Sequence, residues 1–126
     1  MVIGGIKVSK NETKDKKIKR FIKLINEGKL DKVLEKTNVN DVGDLFDVGL
    51  LLGKNKVHDV AEKIFDRVVQ INPNLEEAWY YKGVVLGNLG KYDEEIKCYD
   101  RAIKINPTLA EAYGNKGIAF LSTRIW

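Results

Sequence analysis

Residues 72–88 read NPNLEEAWYYKGVVLGN, and the same pattern returns 34 positions later, where residues 106–122 read NPTLAEAYGNKGIAFLS. The glycine in the middle of the pattern also occurs one period earlier, so Gly49, Gly83 and Gly117 share one register. Four positions before each glycine stands a large apolar residue, successively Leu45, Trp79 and Tyr113. A fixed period of this length indicates a stacked array of small units that contact chiefly their neighbours.

The periodic part of the chain has the apolar spacing of helices, with intervals of three and four residues. The predicted helices are Asp41–Gly53, Val57–Ile71, Leu75–Asn88, Tyr92–Ile105 and a last one from near Leu109 toward Leu121. Proline stops one helix and is tolerated in the first turn of the next, so Asn72-Pro73 and Asn106-Pro107 separate the units. We therefore predict an all-α, right-handed superhelical solenoid of antiparallel helix pairs.

The repeated glycine predicts close packing inside each helix pair. Glycine within a helix costs about 1 kcal/mol relative to alanine, so its return in one register implies a packing requirement. The second helix of a pair should approach the first at this position. In the best-defined unit the residues expected on the buried faces are Trp79, Leu86, Tyr92, Ile96, Tyr99, Ala102 and Ile103.

The first 40 residues differ from the rest in charge. They hold eleven Lys or Arg and five Asp or Glu, an excess of six positive charges in a chain of net charge +4. Residues 1–12 show no period and are predicted to be a flexible arm. Thr13–Asn26 and Leu30–Lys36 are predicted to be helices, with Gly28 ending the first and Thr37–Asn40 forming a loop.

Composition argues against catalysis and against a bound metal or cofactor. Cys98 is the single cysteine and His58 the single histidine, which excludes a disulfide framework and an ordinary zinc site of about four ligands. The run Asp93-Glu94-Glu95 opens a helix, where consecutive side chains diverge and cannot converge on one substrate. We expect no enzyme and no cofactor, His58 packed as a wedge, and Cys98 as an ordinary helix residue.

No targeting or membrane segment is recognised in the sequence. The apolar stretches fall well short of the roughly 20 residues that a membrane span needs. The N-terminal residues lack the basic start and the cleavage site of a signal peptide. We therefore expect a cytoplasmic protein with no membrane partner.

The periodic part resembles the tetratricopeptide repeat family, whose pattern is W-x2-L-G-x2-Y, then A-x3-F, then P. The matching positions are Leu45, Val48, Gly49, Leu52, Ala61, Phe65 and Pro73, then Trp79, Lys82, Gly83, Leu86, Glu95, Tyr99 and Pro107, then Tyr113, Lys116, Gly117 and Phe120. The resemblance divides residues 41–126 into repeats 42–75 and 76–109 and a first helix over 110–126. Residues 13–40 would form a degenerate basic hairpin. Lys82, Lys116 and Glu95 depart from the pattern and are expected to loosen local packing.

The resemblance implies protein–protein recognition, in which the first helices of successive repeats line a concave groove that holds a peptide or a partner helix. Carried onto this chain, the groove consists of Phe46, Leu50, Glu77, Tyr80, Val84, Asn88, Glu111 and Ile118. Of the adjacent Trp79, Tyr80 and Tyr81, at most two can face the core, and Tyr80 is favoured as a contact. The positions of a carboxylate clamp hold Asp47, Glu77, Tyr81 and Glu111 here, so an apolar or basic segment fits better.

Two other functions stay open. Lys14, Lys16, Lys17, Lys19, Arg20 and Lys23 form a basic patch on the first helix that could contact nucleic acid or an acidic partner. No aromatic residues interrupt this patch to stack on bases, so a solvated face is favoured and nucleic acid is an unlikely partner. The last helix carries apolar residues that no later helix covers, so either the chain is a truncated or naturally short array or this end packs on another copy. In the second case the protein is a self-assembling structural module, a homo-oligomer through Ile118, Phe120, Leu121, Ile125 and Trp126.

Overall fold

The computed structural model describes residues 13–125, and within that range the chain is helical throughout, with no strand. The helices are α1 (Lys14–Asn26), α2 (Leu30–Lys36), α3 (Val42–Lys54), α4 (His58–Ile71), α5 (Glu76–Asn88), α6 (Tyr92–Ile105) and α7 (Ala110–Ile125). The predicted arm of residues 1–12 and Trp126 lie outside the described residues. The predicted all-α solenoid of paired helices is confirmed, and the helix ends agree with the sequence pattern to within a few residues.

One short element was not expected. The predicted loop after α2 contains a 3-10 turn, Val39–Asp41, which leads directly into α3. Asn38 and Asp41 cap this turn reciprocally: the Asn38 side chain accepts from the Asn40 N–H at 2.8 Å, and the Asp41 carboxylate accepts from the Asn38 N–H at 3.0 Å. The polar residues at this point therefore start a helix rather than forming an open loop.

The Asn-Pro junctions repeat in atomic detail. The Asn72 side chain accepts from the Asn74 N–H at 3.2 Å, and the Asn106 side chain accepts from the Thr108 N–H at the same distance. The aromatic residue six positions after each proline donates a hydrogen bond to the carbonyl of that proline. Trp79 Nε1 donates to Pro73 O at 2.8 Å, and the Tyr113 hydroxyl donates to Pro107 O at 3.1 Å. Each junction is thus tied to the first helix that follows it.

At two of the three repeated glycines the second helix of the pair approaches closely, as predicted, and the group that approaches is an aromatic ring. A Cβ added at Gly49 would lie 2.8 Å from the ring of Phe65 in α4, and one added at Gly83 would lie 2.5 Å from the ring of Tyr99 in α6. Both rings are fully buried. Gly117 differs, because among the described residues no neighbouring atom comes within 4 Å of such a Cβ.

Burial in the best-defined unit only partly follows the prediction. Leu86, Tyr99 and Ala102 are buried, whereas the predicted core residues Trp79, Tyr92, Ile96 and Ile103 are half-buried. Trp79 is only half-buried because two cationic side chains lie beside its ring. The ring centroid is 5.3 Å from the Lys82 ammonium and 5.4 Å from the Arg101 guanidinium, so part of the ring packs in the core and part contacts these cations.

Lys82 and Lys116, two of the departures from the repeat pattern, each form an ion pair. Lys82 pairs with Asp66 at 2.8 Å, and Lys116 pairs with Asp100 at 2.6 Å. In each case the second helix of one repeat is joined to the first helix of the next. The two lysines therefore form the same ion pair in successive repeats, in place of an apolar contact.

The N-terminal helices continue the array. Phe21 of α1 and Val33 of α2 are buried in the same apolar cluster as residues of α3, α4 and α5. A second cluster joins Tyr99 of α6 to Ala112 and Ala119 of α7. The core therefore runs along the stack from α1 to α7.

Candidate functional site

A depression of about 280 Å³ lies where α3 meets α5. Leu50 of α3 and Val84 and Asn88 of α5, three of the predicted groove residues, contribute to its lining together with Tyr81 and His58. The walls are mainly apolar, and Lys54 and Asn88 stand among them. A depression with this lining could accommodate an apolar side chain of a bound peptide next to a polar group of the same peptide.

Five aromatic rings form a continuous row beside this depression. The ring centroids of Phe65 and Phe46 are 5.8 Å apart, those of Phe46 and Tyr81 are 5.8 Å apart, those of Tyr81 and Tyr80 are 5.0 Å apart, and those of Tyr80 and Tyr99 are 5.8 Å apart. Most of these pairs meet edge to face, an arrangement that aromatic rings prefer. The rings of Phe46, Tyr81 and Tyr80 belong to the first helices α3 and α5 and are half-buried, whereas those of Phe65 and Tyr99 at the two ends of the row are fully buried. The accessible part of the row therefore lies on α3 and α5.

A second depression of about 280 Å³ begins at Tyr80 and Tyr81. Its lining carries three carboxylates, those of Glu76, Glu77 and Glu111, together with Leu109 and Asn106. Among the described residues, none of these three carboxylates is in an ion pair. The predicted residues Glu77, Tyr80 and Glu111 therefore meet in one acidic and aromatic hollow.

Tyr80 is held in place from α7. Its hydroxyl accepts a hydrogen bond from Asn115 Nδ2 at 2.9 Å, and partial burial raises the pKa of the phenol. The phenol therefore stays neutral near neutral pH and remains able to donate a hydrogen bond. This contact bridges α5 and α7 and fixes the edge of the acidic hollow.

A third depression of about 270 Å³ separates α5, α6 and α7. Val84, Asn88 and Ile118 of the predicted groove line it, and Glu95 lies at its base with Tyr99 and Asn115. Glu95 is only 8% exposed, and its Oε2 accepts from the Tyr99 hydroxyl at 2.6 Å. Burial raises the pKa of this carboxyl above its usual value.

Each predicted groove residue can now be placed. Leu50, Val84, Asn88, Glu77, Tyr80, Glu111 and Ile118 line one or more of the three depressions, and Phe46 touches them through its ring contact with Tyr81. The groove itself stays a prediction, because these positions describe a surface and not a bound ligand. Sequence reasoning passed over two residues that lie centrally in it, Tyr81 and Glu95.

The sequence contains a different amount of information about Tyr81 and about Glu95, the two residues left out of the predicted groove. Tyr81 follows Tyr80 directly, and the exact rotation of a helix decides which of two neighbours points into a groove, which periodicity alone leaves open. Glu95 could have been found, because it replaces the small residue of the repeat pattern at a buried position. From the repeat pattern alone that departure resembles a packing defect, whereas in the structure it is a polar group inside a depression.

The predicted basic patch divides into two parts. Lys14 pairs with Asp47, and Lys17 pairs with Asp41 at 2.6 Å and with Asp44 at 3.2 Å, so both neutralise the start of α3. Lys16, Lys19 and Lys23 are exposed, and the Arg20 guanidinium lies 5.1 Å from the ring of Phe21. Since two of the six cations already contact carboxylates of this chain, the patch offers less charge to nucleic acid than the sequence suggests.

The outer side of α7 is strongly exposed. Ile118 is 66% exposed and Leu121 61%, and Phe120 and Tyr113 are about half exposed. The Arg124 guanidinium covers the Phe120 ring at 4.7 Å. Trp126 and the side chain of Ile125, the other residues of the predicted self-association surface, lie outside the described residues.

The remaining polar candidates show no arrangement for chemistry. Cys98 is buried, and burial raises the pKa of its thiol to about 11, so the reactive thiolate is disfavoured. His58 is half-buried at the depression between α3 and α5, and its Nδ1 is buried without a hydrogen-bond partner among the described residues. In that same part of the chain, no group of three or more His, Cys, Asp or Glu could hold a metal ion. No described helix is long and apolar enough to cross a membrane.

Residues 76–109 match the family model of the tetratricopeptide repeat. A search of curated protein sequences finds no match. Solved structures share the fold. MamA from Desulfovibrio magneticus RS-1 is similar with a TM-score of 0.65 at 24% identity, over 89% of this chain and 67% of that chain.

Two further structures of this fold are of proteins that bind peptides. The first TPR of Spaghetti (RPAP3), bound to the HSP90 peptide SRMEEVD, is similar with a TM-score of 0.67 at 19% identity, over 84% of this chain and 89% of that chain. YrrB, a TPR protein with an unusual peptide-binding site, gives a TM-score of 0.64 at 23% identity, over 84% of this chain and 58% of that chain. At these identities the likeness concerns the fold.

Proposed function

We propose that this chain, whose residues 76–109 match the tetratricopeptide repeat, is a non-enzymatic interaction module that holds a segment of another protein along α3, α5 and α7. The observation that carries the proposal is the aromatic row from Phe46 through Tyr81 to Tyr80, with a depression on each side of it. Rigid aromatic side chains next to hollows are typical anchors for a bound segment. The peptide bound by the RPAP3 domain and the peptide-binding site of YrrB support a peptide-binding role for a protein of this fold.

The charges of the groove favour a basic segment with apolar anchors. The peptide bound by the RPAP3 domain, SRMEEVD, carries three acidic side chains and one basic side chain. The hollow beside Tyr80 and Tyr81 in this chain carries Glu76, Glu77 and Glu111, and an acidic peptide would meet like charge there. A segment with Lys or Arg beside Leu, Ile or Phe would instead pair with the carboxylates and fill the apolar depression between α3 and α5.

Selection from a display library of random 12-residue peptides tests this function. We expect the selected peptides to be enriched in Lys, Arg and apolar residues, and we expect Tyr80→Asp to lose at least tenfold in affinity because the anchor ring and its apolar contacts are lost. Tyr113→Asp is the matched control, since Tyr113 is exposed and lies outside the three depressions. Enrichment of acidic peptides, or equal losses in both variants, would contradict the proposal.

Self-association is a second candidate, favoured by the contrast between Gly83 and Gly117. The ring of Tyr99 fills the space at Gly83, whereas no described atom fills the equivalent space at Gly117, and the face around it carries Phe120 and Leu121. An antiparallel pair of α7 helices related by a two-fold axis beside Gly117 would place Phe120 of one copy opposite Gly114 of the other. Arg124 would then approach Glu111, so the charges at the two ends of the helix are complementary.

A further inference from the structure

Glu95 occupies a position that packing alone would give to a small residue. One repeat earlier the same position is Ala61, which is fully buried between its neighbours. A carboxylate there must leave water, which is costly unless hydrogen bonds or an opposite charge compensate. Burial accordingly raises the pKa of Glu95, and no cation of the described residues is paired with it.

The surrounding residues accommodate this carboxylate specifically. A Cβ at Gly87 would lie 2.5 Å from Glu95 Oε2, so the carboxylate in its observed position occupies the space that the glycine leaves. At Gly53, the equivalent glycine one repeat earlier, the nearest atom to such a Cβ is Val85 Cγ2 at 3.7 Å. The Tyr99 hydroxyl then fixes Oε2 by a hydrogen bond of 2.6 Å.

The second carboxylate oxygen is left for something else. Within residues 13–125, no donor makes a hydrogen bond to Glu95 Oε1. Oε1 is also not enclosed, because in that range His58 Nδ1 is the one side-chain nitrogen or oxygen that is both fully buried and unpartnered. Glu95 lines the depression between α5, α6 and α7, and Oε1 is the oxygen of its carboxylate that has no hydrogen-bond donor among the described residues.

The depression offers further acceptors and apolar walls. Asn115 uses its amide nitrogen to donate to Tyr80, which leaves its carbonyl oxygen as an acceptor, and the Ser122 hydroxyl donates to Ile118 O, which leaves its lone pairs. Val84, Ile118 and Ala119 supply apolar surface around them. An ammonium group has three donors and no acceptor, and an aliphatic stem suits apolar walls.

We propose that the depression based on Glu95 is the site for a lysine side chain of the segment held along α3, α5 and α7, with its ammonium group donating to Glu95 Oε1, Asn115 and Ser122. This inference rests on the proposed function for the source of the lysine, and it makes that ligand more specific. It places a required cation at the α7 end of the groove, whereas the acidic hollow at Glu76, Glu77 and Glu111 only favours positive charge in general.

The test uses the full chain and a small probe, Nα-acetyl-lysine methylamide, with the norleucine analogue as its uncharged counterpart. Both are titrated at neutral pH while NMR follows the Glu95 carboxyl carbon and the Asn115 side-chain amide. We expect the lysine probe to shift both signals in a saturable way and to lower the pKa of Glu95, because a paired cation favours the charged carboxylate. The norleucine probe should leave both unchanged.

Variants sharpen the result. Glu95→Gln keeps an acceptor for Tyr99 and removes the charge, and we expect it to weaken binding of the lysine probe about tenfold, as for a lost charge-assisted hydrogen bond. Glu94→Gln is the control, since Glu94 makes the same change of net charge on the exposed side of α6. Equal affinity in the two variants, or equal binding of the two probes by the unaltered chain, would overturn the proposal.

The two proposals fail separately. If selected peptides depend on Tyr80 but the lysine probe leaves Glu95 unperturbed, the groove stands and the lysine site is wrong. If the probe binds at Glu95 but no peptide depends on Tyr80, the lysine site stands and the groove is wrong.

Discussion

At the residue level, Glu95 shows how one departure from a repeat pattern changes the physics of a site. A consensus small residue would only pack, whereas a carboxylate held by Tyr99 is both buried and polar. Such a group is tolerated because Gly87 makes space and because one hydrogen bond offsets part of the desolvation. Positions that break a local rule at some cost are expected where function is located.

Glu95 should also make stability depend on pH. Its pKa in the folded chain is raised from the ordinary value of 4.5, so the folded state holds its proton more firmly than the unfolded state does. The contribution is therefore most favourable in acid and is lost as pH rises through the folded-state pKa. We expect the free energy of unfolding of Glu95→Gln minus that of the unaltered chain, both measured by urea denaturation, to increase from acidic to neutral pH.

Glu94→Gln again provides the reference for this measurement, because its side chain is exposed. The phenol of Tyr99 stays protonated throughout, since burial raises its pKa. If the difference in free energy of unfolding between Glu95→Gln and the unaltered chain does not change with pH, burial of the Glu95 charge does not affect stability.

At the level of helices, the repeated glycine separates two roles that one residue type plays in this chain. Gly83 gives way to the Tyr99 ring, so Gly83→Ala should overpack the contact between α5 and α6 and lower the free energy of unfolding by about 1–3 kcal/mol. Gly117 has no described neighbour within 4 Å, so Gly117→Ala should raise it by up to about 1 kcal/mol through helix propensity. Urea denaturation of both variants under identical conditions measures the contrast. Similar losses in the two variants would mean that the space at Gly117 is filled.

The helices themselves follow from the sequence because their signals are local. The Asn-Pro junctions, the glycine register and the intervals of three and four residues each act within one turn or one helix pair, and they predict Tyr92–Ile105 to the residue. The burial of Trp79 is different. It depends on Lys82 and Arg101, whose charges lie near its ring, and no local rule contains that contact.

At the level of the whole molecule, the candidate groove was predictable in outline and not in detail. Successive first helices must share a face once the repeat is known, which places Leu50, Val84 and Asn88 together. The packing of one unit against the next determines which of Tyr80 and Tyr81 points into the candidate groove. It also determines whether Lys14 and Lys17 are available to a partner. The ion pairs of these two lysines with α3 connect residues far apart in sequence, and charge counting alone does not reveal them.

The exposed face of α7 is the candidate surface for contact with a second copy of the chain. A single helix face is smaller than the roughly 800 Å² per partner of a standard interface, so we expect a weak dimer that forms as concentration rises. Sedimentation equilibrium over a range of concentrations should show a mass increasing toward twice 14.3 kDa. Phe120→Ser combined with Leu121→Ser should remain monomeric, because it removes the apolar side chains that face the Gly114 side of the other copy.

Val39→Ser is the matched control for that variant, since Val39 is the most exposed large apolar residue of the described chain and lies far from α7 in sequence. It should dimerise like the unaltered chain. A constant monomer mass for the unaltered chain would exclude self-association through α7, and an unchanged dimer in the double variant would place the interface elsewhere. If the dimer forms as described, Gly117→Ala should weaken it while stabilising the monomer, because the added methyl group enters the space that the partner helix fills.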